Sequence, residues 1–121
     1  MATASVAYPV DLRRKVKAAL QVNGPSYIQV NAPCITGWSF DAGTMIELSR
    51  LAVETGLWPL AEWVNGELVG VKKIRRPKPV QEYIQIQGRY KHLFKKNDCG
   101  EQLAAIQGIA DANKAKYKLV D

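Results

Sequence analysis

The spacing of hydrophobic positions near the start of the chain is typical first of a strand, then of a helix, and then of a strand again. Residues 2–8 (ATASVAY) are small and partly β-branched, which predicts a short buried strand. Pro9 favours a helix start, and one apolar stripe along residues 10–22 comprises Leu12, Val16 and Leu20, surrounded by Arg13, Arg14, Lys15 and Lys17. Residues 26–32 (SYIQVNA) alternate and predict a second strand. This order predicts a βαβ unit with a parallel strand pair.

A second helix is predicted after a loop over residues 33–40. Thr44 and Glu47 have the spacing of a capping box at its start. Gly56 suits the left-handed position beyond its end. One face of this helix is apolar or small and comprises Met45, Leu48, Leu51, Ala52 and Thr55.

The rest of the chain predicts a hairpin followed by helices. Asn65-Gly66 lies between two extended runs, 58–64 and 67–74, which is the strongest short-range hairpin signal. Residues 75–79 form a linker, and apolar spacing predicts a helix over 80–94. A last helix is predicted over about 99–117, capped by Asp98, with a weak stripe of Leu103, Ile106 and Ala110. The fold class is therefore α/β: a partial, open parallel sheet with flanking helices and a small β-hairpin.

The composition limits which classes of protein and which kinds of binding site are expected. The 121 residues are 47% hydrophobic, which is enough for one small packed domain. No run of about 18 apolar residues and no secretory signal occur, so we expect no membrane contact and a cytoplasmic location. Cys34 and Cys99 are too few for a disulfide framework or an unaided metal site, and the single His92 does not complete one.

The net charge of +6 favours acidic partners such as nucleic acid or an acidic protein, although a solvated basic surface is the plainer interpretation. The cations form two clusters. The first comprises Lys72, Lys73, Arg75, Arg76 and Lys78, and the second comprises Arg89, Lys91, Lys95 and Lys96, with Tyr90 and Phe94 interleaved. Aromatic rings between cations could stack bases, but a solvated surface or a contact with another subunit is favoured, and nucleic acid is not expected.

Cys34 is the candidate site residue because it follows the second predicted strand. Loops after the carboxyl ends of parallel strands are where α/β sheets bind ligands. Pro33 fixes the approach to this turn, Gly37 relaxes it, and Trp38 can shield it from water. The alternative is a buried, inert thiol, since free cysteine is among the most buried residue types.

Residues 24–60 carry a more specific pattern, in GPSYIQVNAPCITGW followed by IELSRLAVETGLWPL. These segments resemble the C-terminal part of the beta subunits of pyruvate:ferredoxin and related 2-oxoacid:ferredoxin oxidoreductases. Two flanking segments resemble the same family: ATASVAYPVDLRRKVKAAL before them and RPKPVQEYIQIQGRYKHL after them. The resemblance covers about residues 2–95, while 96–121 form a helical extension that matches nothing recognisable. We therefore expect two parts, 1–95 and 96–121.

The resemblance implies a portion of a thiamine-diphosphate-binding domain. In the complete enzyme it implies thiamine diphosphate with Mg²⁺, a 4Fe–4S cluster, coenzyme A, ferredoxin as electron acceptor and further subunits as partners. It assigns Cys34 as one thiolate ligand of the cluster, with the other ligands outside this chain, and Ile35 stands where the family prefers proline. Because the cofactor motif of the family is not found here, we expect the chain alone to bind no cofactor and to be inactive.

Several interpretations stay open at this point. The chain could be a non-catalytic relic without a cluster, or a basic nucleic-acid-binding domain. Thr36 could donate to a cluster sulfur or only shape the turn. Structural roles are expected for Cys99, for His92 as an exposed or hydrogen-bonded helix residue, and for Trp38, Trp58 and Trp63 as packing or interface residues.

Overall fold

One four-stranded sheet organises the computed structural model, which describes residues 1–95 and 100–121. The strands are β1 (Ala2–Ser5), β2 (Ile28–Asn31), β3 (Ala61–Val64) and β4 (Glu67–Val71), in the order β2-β1-β3-β4. β1 pairs with β2 in parallel, whereas the β1–β3 and β3–β4 pairs are antiparallel. Two reversals make β4 run in the direction of β1 and β2. These three strands therefore end at one edge of the sheet, which we call the carboxyl edge.

Helix α1 (Pro9–Ala19) joins β1 to β2 and confirms the βαβ unit. The predicted packing face of α1 is wrong, since Val16 and Leu20 are 42% and 77% exposed. Instead, Lys15 is buried, and its ammonium donates to the Thr3 carbonyl oxygen at 2.8 Å and to an Asp11 carboxylate oxygen at 2.6 Å. The aliphatic stem of a lysine covers apolar surface as a leucine does, so a buried lysine can define the inner face of a helix.

The hairpin of β3 and β4 confirms the Asn65-Gly66 prediction. Both residues have positive φ, 50° and 85°, as the two central residues of a type I′ turn require. The hairpin does not stand apart, because β3 pairs with β1 and extends the same sheet. The sheet is therefore mixed, with its parallel pair at one side and the antiparallel hairpin at the other.

Helix α3 (Met45–Glu54) supplies most of the helical core. Leu48, Leu51 and Ala52 are buried, as the apolar face predicted, and Gly56 is left-handed with φ 86°. The predicted capping box is wrong, because the Thr44 side chain makes no capping bond and donates instead to the Asp41 carbonyl oxygen at 2.7 Å. Asp41 caps a preceding 3₁₀ turn, Ala42–Thr44, by accepting from the Gly43 amide. The start signal thus lies three residues earlier than the sequence indicated.

The single helix predicted over 80–94 is wrong, since it is two elements. Helix α4 (Val80–Gln85) packs Tyr83 and Ile84 against α3, and a 3₁₀ segment (Gly88–Phe94) follows it. The break falls at Gln87, whose backbone is extended and whose side chain is buried and donates to the Tyr83 carbonyl oxygen at 2.6 Å. A glutamine satisfied in this way ends the helix without a proline.

Helix α5 (Gly100–Lys116) agrees with the last predicted helix and packs against α4. Two hydrogen bonds of 3.0 Å join α5 to the rest of the fold. The Val80 amide donates to the Gln107 side-chain oxygen, and the Asn113 side chain donates to the Gly56 carbonyl oxygen. Leu119 beyond it is fully buried. The predicted cap Asp98 lies outside the described residues, as does Cys99.

Candidate functional site

The turn that carries Cys34 lies at the carboxyl edge, directly after β2. Pro33 is buried and Cys34 is exposed, so the burial expected under the alternative of an inert thiol is wrong. Cys34 is the N-cap of a one-turn helix, α2 (Ile35–Trp38), and its sulfur accepts a hydrogen bond from the Gly37 amide at 3.3 Å. The turn thus presents its sulfur outward while a backbone N–H points at it.

Gly37 permits this approach of backbone to sulfur. A Cβ built at Gly37 would lie 3.3 Å from the Cys34 sulfur, tighter than ordinary contact. Thiolates that hold iron–sulfur clusters are tuned by N–H groups donated to sulfur and by exposure to solvent. The Gly37 N–H caps α2 through the sulfur, and the same geometry would also suit a metal-bound thiolate.

A second segment holds the turn from the side. The Gly88 amide donates to the Ser39 carbonyl oxygen at 2.6 Å, and Ser39 itself is left-handed, with φ 54°. A Cβ at Gly88 would meet the Ser39 hydroxyl at 2.6 Å and the Ser39 carbonyl oxygen at 2.8 Å. The 3₁₀ segment can therefore lie against the end of α2 only because residue 88 has no side chain.

Arg89 completes this contact, and the sequence prediction missed it by grouping Arg89 with a basic cluster. Its guanidinium lies 4.0 Å from the ring centre of Trp38 and 4.6 Å from that of Tyr90. Its Nε donates to the side-chain oxygen of buried Gln87 at 2.8 Å. No signal in the sequence distinguishes Arg89 from the other cations of that cluster. We call Trp38, Ser39, Gln87, Gly88 and Arg89 the clamp.

Asn31 is a further residue that sequence reasoning missed. It is the last residue of β2, three positions before Cys34, and its side-chain oxygen is the buried polar side-chain atom without a partner among the described residues. Buried acceptors of this kind usually find a donor. A polar residue at the carboxyl end of a parallel strand was the signal available.

The other predicted residues are spread over the fold. Trp58 packs on the helical core and donates its indole N–H to the Ala4 carbonyl oxygen at 2.8 Å, while Trp63 meets Tyr117 edge to face. Both are packing residues, as predicted. Thr36 and Ile35 are exposed beside Cys34, and His92 is exposed in the 3₁₀ segment.

The chemistry within the described ranges is limited to one thiol and its surroundings. No group of three or more His, Cys, Asp or Glu side chains in residues 1–95 and 100–121 is arranged to hold a metal ion. In the same ranges, no helix combines the length and apolar character needed to span a bilayer. The Cys34 turn could supply one ligand and would need others.

Comparison with known proteins gives the turn its context. No protein-family model matches the chain. Pyruvate synthase subunit PorB of Methanosarcina barkeri is 47% identical over 119 residues, covering 98% of this chain and 40% of that subunit. PorB of Methanocaldococcus jannaschii is 52% identical over 77% of this chain and 31% of that subunit. Ketoisovalerate oxidoreductase subunit VorB of Pyrococcus furiosus is 46% identical over 79% of this chain and 32% of that subunit.

These matches cover only part of each relative. The chain spans no more than about 40% of the length of the curated relatives it matches. The matched portion is the C-terminal part of the PorB subunits. The chain is therefore a relative of the C-terminal part of the 2-oxoacid oxidoreductase subunits named PorB and VorB, which confirms the resemblance found in its sequence.

Proposed function

We propose that this chain forms the C-terminal part of the beta subunit of a cytoplasmic 2-oxoacid:ferredoxin oxidoreductase, with pyruvate as substrate. The complete enzyme would decarboxylate the 2-oxo acid oxidatively, transfer the acyl group to coenzyme A and pass the electrons to ferredoxin. The names of the relatives, pyruvate synthase and ketoisovalerate oxidoreductase, support this class of reaction. The chain alone would be inactive, because thiamine diphosphate and Mg²⁺ would bind outside it.

Within that enzyme, Cys34 would be one thiolate ligand of a 4Fe–4S cluster. The observation that carries this assignment is the exposed sulfur at the carboxyl edge, accepting the Gly37 N–H at 3.3 Å. The cluster, when bound, would supply one-electron transfer. The other ligands would come from the rest of the enzyme, because the described residues offer no ligand set of their own.

The chain's own contribution to such a site is position and shielding. The buried Pro33 fixes where β2 ends, and α2 directs the Gly37 N–H toward the sulfur. The clamp covers one side of the turn with the Trp38 ring and the Arg89 guanidinium. A sulfur held in this way would meet an incoming cluster without reorganising its backbone, which favours binding.

Exposed apolar side chains in α1, in β2 and in the segment between them support a docking surface for the rest of the subunit. Exposed apolar side chains form what we call the outer stripe: Val16, Leu20, Val22, Tyr27 and Val30, each 40–77% exposed. Large exposed apolar patches mark interaction sites. The relatives are more than twice as long as the matched segment, and their remaining portion is the partner we propose for the outer stripe.

Co-expression tests the cluster assignment. The chain would be produced with the N-terminal part of the Methanosarcina barkeri PorB subunit, and the complex purified without oxygen. We expect a brown complex whose iron content and visible absorbance fall severalfold in Cys34→Ser. Cys99→Ser is the matched control and should leave both unchanged. A complex that forms but stays free of iron would support the non-catalytic alternative, and equal iron in the Cys34 variant would overturn the assignment.

The docking surface is tested separately. Leu20→Asp places a charge on a side chain that is 77% exposed, so the fold of the isolated chain should be unaffected while association with the partner is lost. Lys17→Asp, at another exposed position of α1, is the control. Association that survives Leu20→Asp would exclude the outer stripe. Steep salt dependence of binding to DNA or RNA would instead support a nucleic-acid-binding domain.

A further inference from the structure

A basic cleft opens at the carboxyl edge, on the side of the sheet opposite the Cys34 turn. It has a volume of about 510 Å³ and lies between the loop after β1, the end of α3 and the segment that leaves β4. Three strand spacings, roughly 14 Å, separate β4 from β2. The cleft is therefore a second place on the same edge, and it does not include Cys34.

The segment after β4 is held so that its cations face the cleft. The Lys72 amide donates to the Leu60 carbonyl oxygen at 2.8 Å, and the Ile74 amide donates to the Leu119 carbonyl oxygen at 2.7 Å. The side chain of Ile74 is buried and anchors the segment. The cationic side chains that line the cleft are Lys72, Lys73, Arg75 and Arg76. The backbone is therefore held at Lys72 and Ile74, and the four cations lie within five positions of the chain.

These charges are not neutralised within the part of the chain that the structure describes. Lys73 pairs with Asp121 at 3.1 Å, whereas Lys72, Arg75 and Arg76 have no carboxylate within ion-pair distance among the described residues. Within residues 1–95 and 100–121, Glu54 is the one acidic residue that lines the cleft. The balance at the cleft is positive, and a low-dielectric wall strengthens the field of such a cluster.

Tyr8 gives the cleft a neutral hydrogen-bond donor. It is partly buried, and the Lys72 ammonium lies 5.2 Å from its ring centre. Burial first, and the nearby Glu54 second, raise the pKa of Tyr8, so its hydroxyl stays protonated at neutral pH. Tyr8 is also the N-cap residue of α1, and the positive end of that helix dipole adjoins the cleft.

We propose that this cleft binds a small phosphate-bearing molecule, held by Arg75 and Arg76 with Lys72 and Tyr8 supporting. Arginine guanidinium groups match phosphate oxygens in pairs, and several cations suit a multiply charged group better than a single carboxylate. The volume lies within the usual range for small-molecule sites, about 300–1,000 Å³. A neighbouring cleft of about 390 Å³ shares Tyr8 and Lys72, is also lined by Asp11 and Arg14, and leaves room for the rest of such a molecule. The proposal is independent of the iron–sulfur assignment.

The shape of the site argues for a small ligand over a nucleic acid. The cations line a concavity between three elements and do not form an extended stripe. In the second basic cluster, one of the two interleaved rings, Tyr90, is already in contact with Arg89. A polynucleotide needs a continuous basic track with free aromatic faces.

Calorimetric titration of the purified chain with inorganic pyrophosphate, in about 0.15 M salt, tests the proposal. We expect saturable binding that weakens roughly tenfold or more in R75A/R76A and a few fold in Tyr8→Phe. Arg13→Ala/Lys17→Ala removes two cations from the exposed side of α1 and is the charge-matched control, so it should bind as the native chain does. Circular dichroism would verify that each variant is folded.

Three results would overturn the site. Binding that weakens equally in the α1 control would reflect net charge and not the cleft. Absence of saturable binding of pyrophosphate by the folded native chain would exclude a phosphate site. Duplex DNA that binds more tightly than pyrophosphate and loses affinity in R75A/R76A would reassign the surface to nucleic acid. Amide NMR shifts confined to the segment after β4 and to Tyr8 would locate the ligand independently of any variant.

Discussion

The guanidinium of Arg89 lies over the indole ring of Trp38, 4.0 Å from its centre, and so joins the 3₁₀ segment to the turn that carries Cys34. Tyr90 covers it from a second side, and Gln87 fixes its Nε. The cation therefore contributes to local structure as well as to the charge of the surface. Its removal should act on the neighbouring turn.

Arg89→Ala should loosen α2 and leave the sheet intact. A partly desolvated cation–π contact contributes about 1–2 kcal/mol, and about 1.4 kcal/mol corresponds to a tenfold change in an opening equilibrium. We expect hydrogen exchange at the Trp38, Ser39 and Gly88 amides to accelerate roughly tenfold, with β1 and β3 unchanged. Arg89→Lys should restore part of the protection. Lys91→Ala, an exposed cation in the same segment, is the control, and equal acceleration there would refute the clamp.

Gly88→Ala should disrupt the same contact by sterics. The new Cβ would sit 2.6–2.8 Å from three atoms of Ser39, one of them the backbone carbonyl oxygen, so the segments must separate. We expect a loss of about 1–3 kcal/mol in the free energy of unfolding, measured by urea denaturation. Gly108→Ala in α5 is the matched control, because nothing lies within 4 Å of its Cβ and alanine favours a helix by about 1 kcal/mol.

Ser39→Gly should stabilise the chain and partly rescue Gly88→Ala. Ser39 has φ 54°, a conformation that glycine adopts at less cost. The substitution also removes two of the three atoms that the new Cβ would meet. In a double-mutant cycle we expect a favourable coupling of about 1 kcal/mol. Strict additivity of the two variants would show that the clash is not the cause of the loss.

Lys15→Met should be strongly destabilising although lysine is usually an exposed residue. It removes the buried ammonium that donates to the Thr3 carbonyl oxygen and to Asp11, so two partly buried acceptors each lose a donor. Breaking a buried pair on one side costs about 3–5 kcal/mol, and methionine returns part of the packing. Thermal unfolding would measure the effect. Lys17→Met, on the exposed face of the same helix, should change stability by less than about 0.5 kcal/mol.

Local signals in the sequence predicted the elements well. Asn65-Gly66 dictated the hairpin because two consecutive positive φ angles admit few residue pairs. The periodicity around Leu48 and Leu51 gave the core face of α3, because that helix meets its neighbours within this chain. Both predictions depended on contacts close in sequence or on one strong constraint of the backbone.

The features that the sequence did not predict depend on tertiary contacts. The stripe of Leu12, Val16 and Leu20 follows helix period, but only a structure shows that Lys15 faces the sheet and that two of the three apolar residues face outward. The break at Gln87 depends on a side-chain bond to Tyr83 and on the approach of Gly88 to Ser39, 49 positions earlier. Cys34 was found from its place after β2, whereas the clamp residues carry no signal until the two segments are brought together.

Alkaline pH should destabilise the chain through its buried tyrosines. Burial raises the pKa of Tyr83, with Arg89 acting in the opposite direction, and burial also raises the pKa of Tyr8. Each phenol therefore holds its proton to higher pH in the folded chain than in the unfolded chain, whose tyrosines titrate near pH 10. This contribution to stability is complete below about pH 10 and is lost as pH rises through the folded-state pKa values.

Tyr83→Phe removes one such group, so the decline of the urea midpoint above pH 10 should become shallower than in the native chain. Lysine titration is common to both chains and cancels in the comparison. Tyrosinate absorbance recorded during the same titration should show a component that ionises together with unfolding and that is smaller in Tyr83→Phe. An alkaline decline that is identical in Tyr83→Phe would exclude Tyr83 as its source.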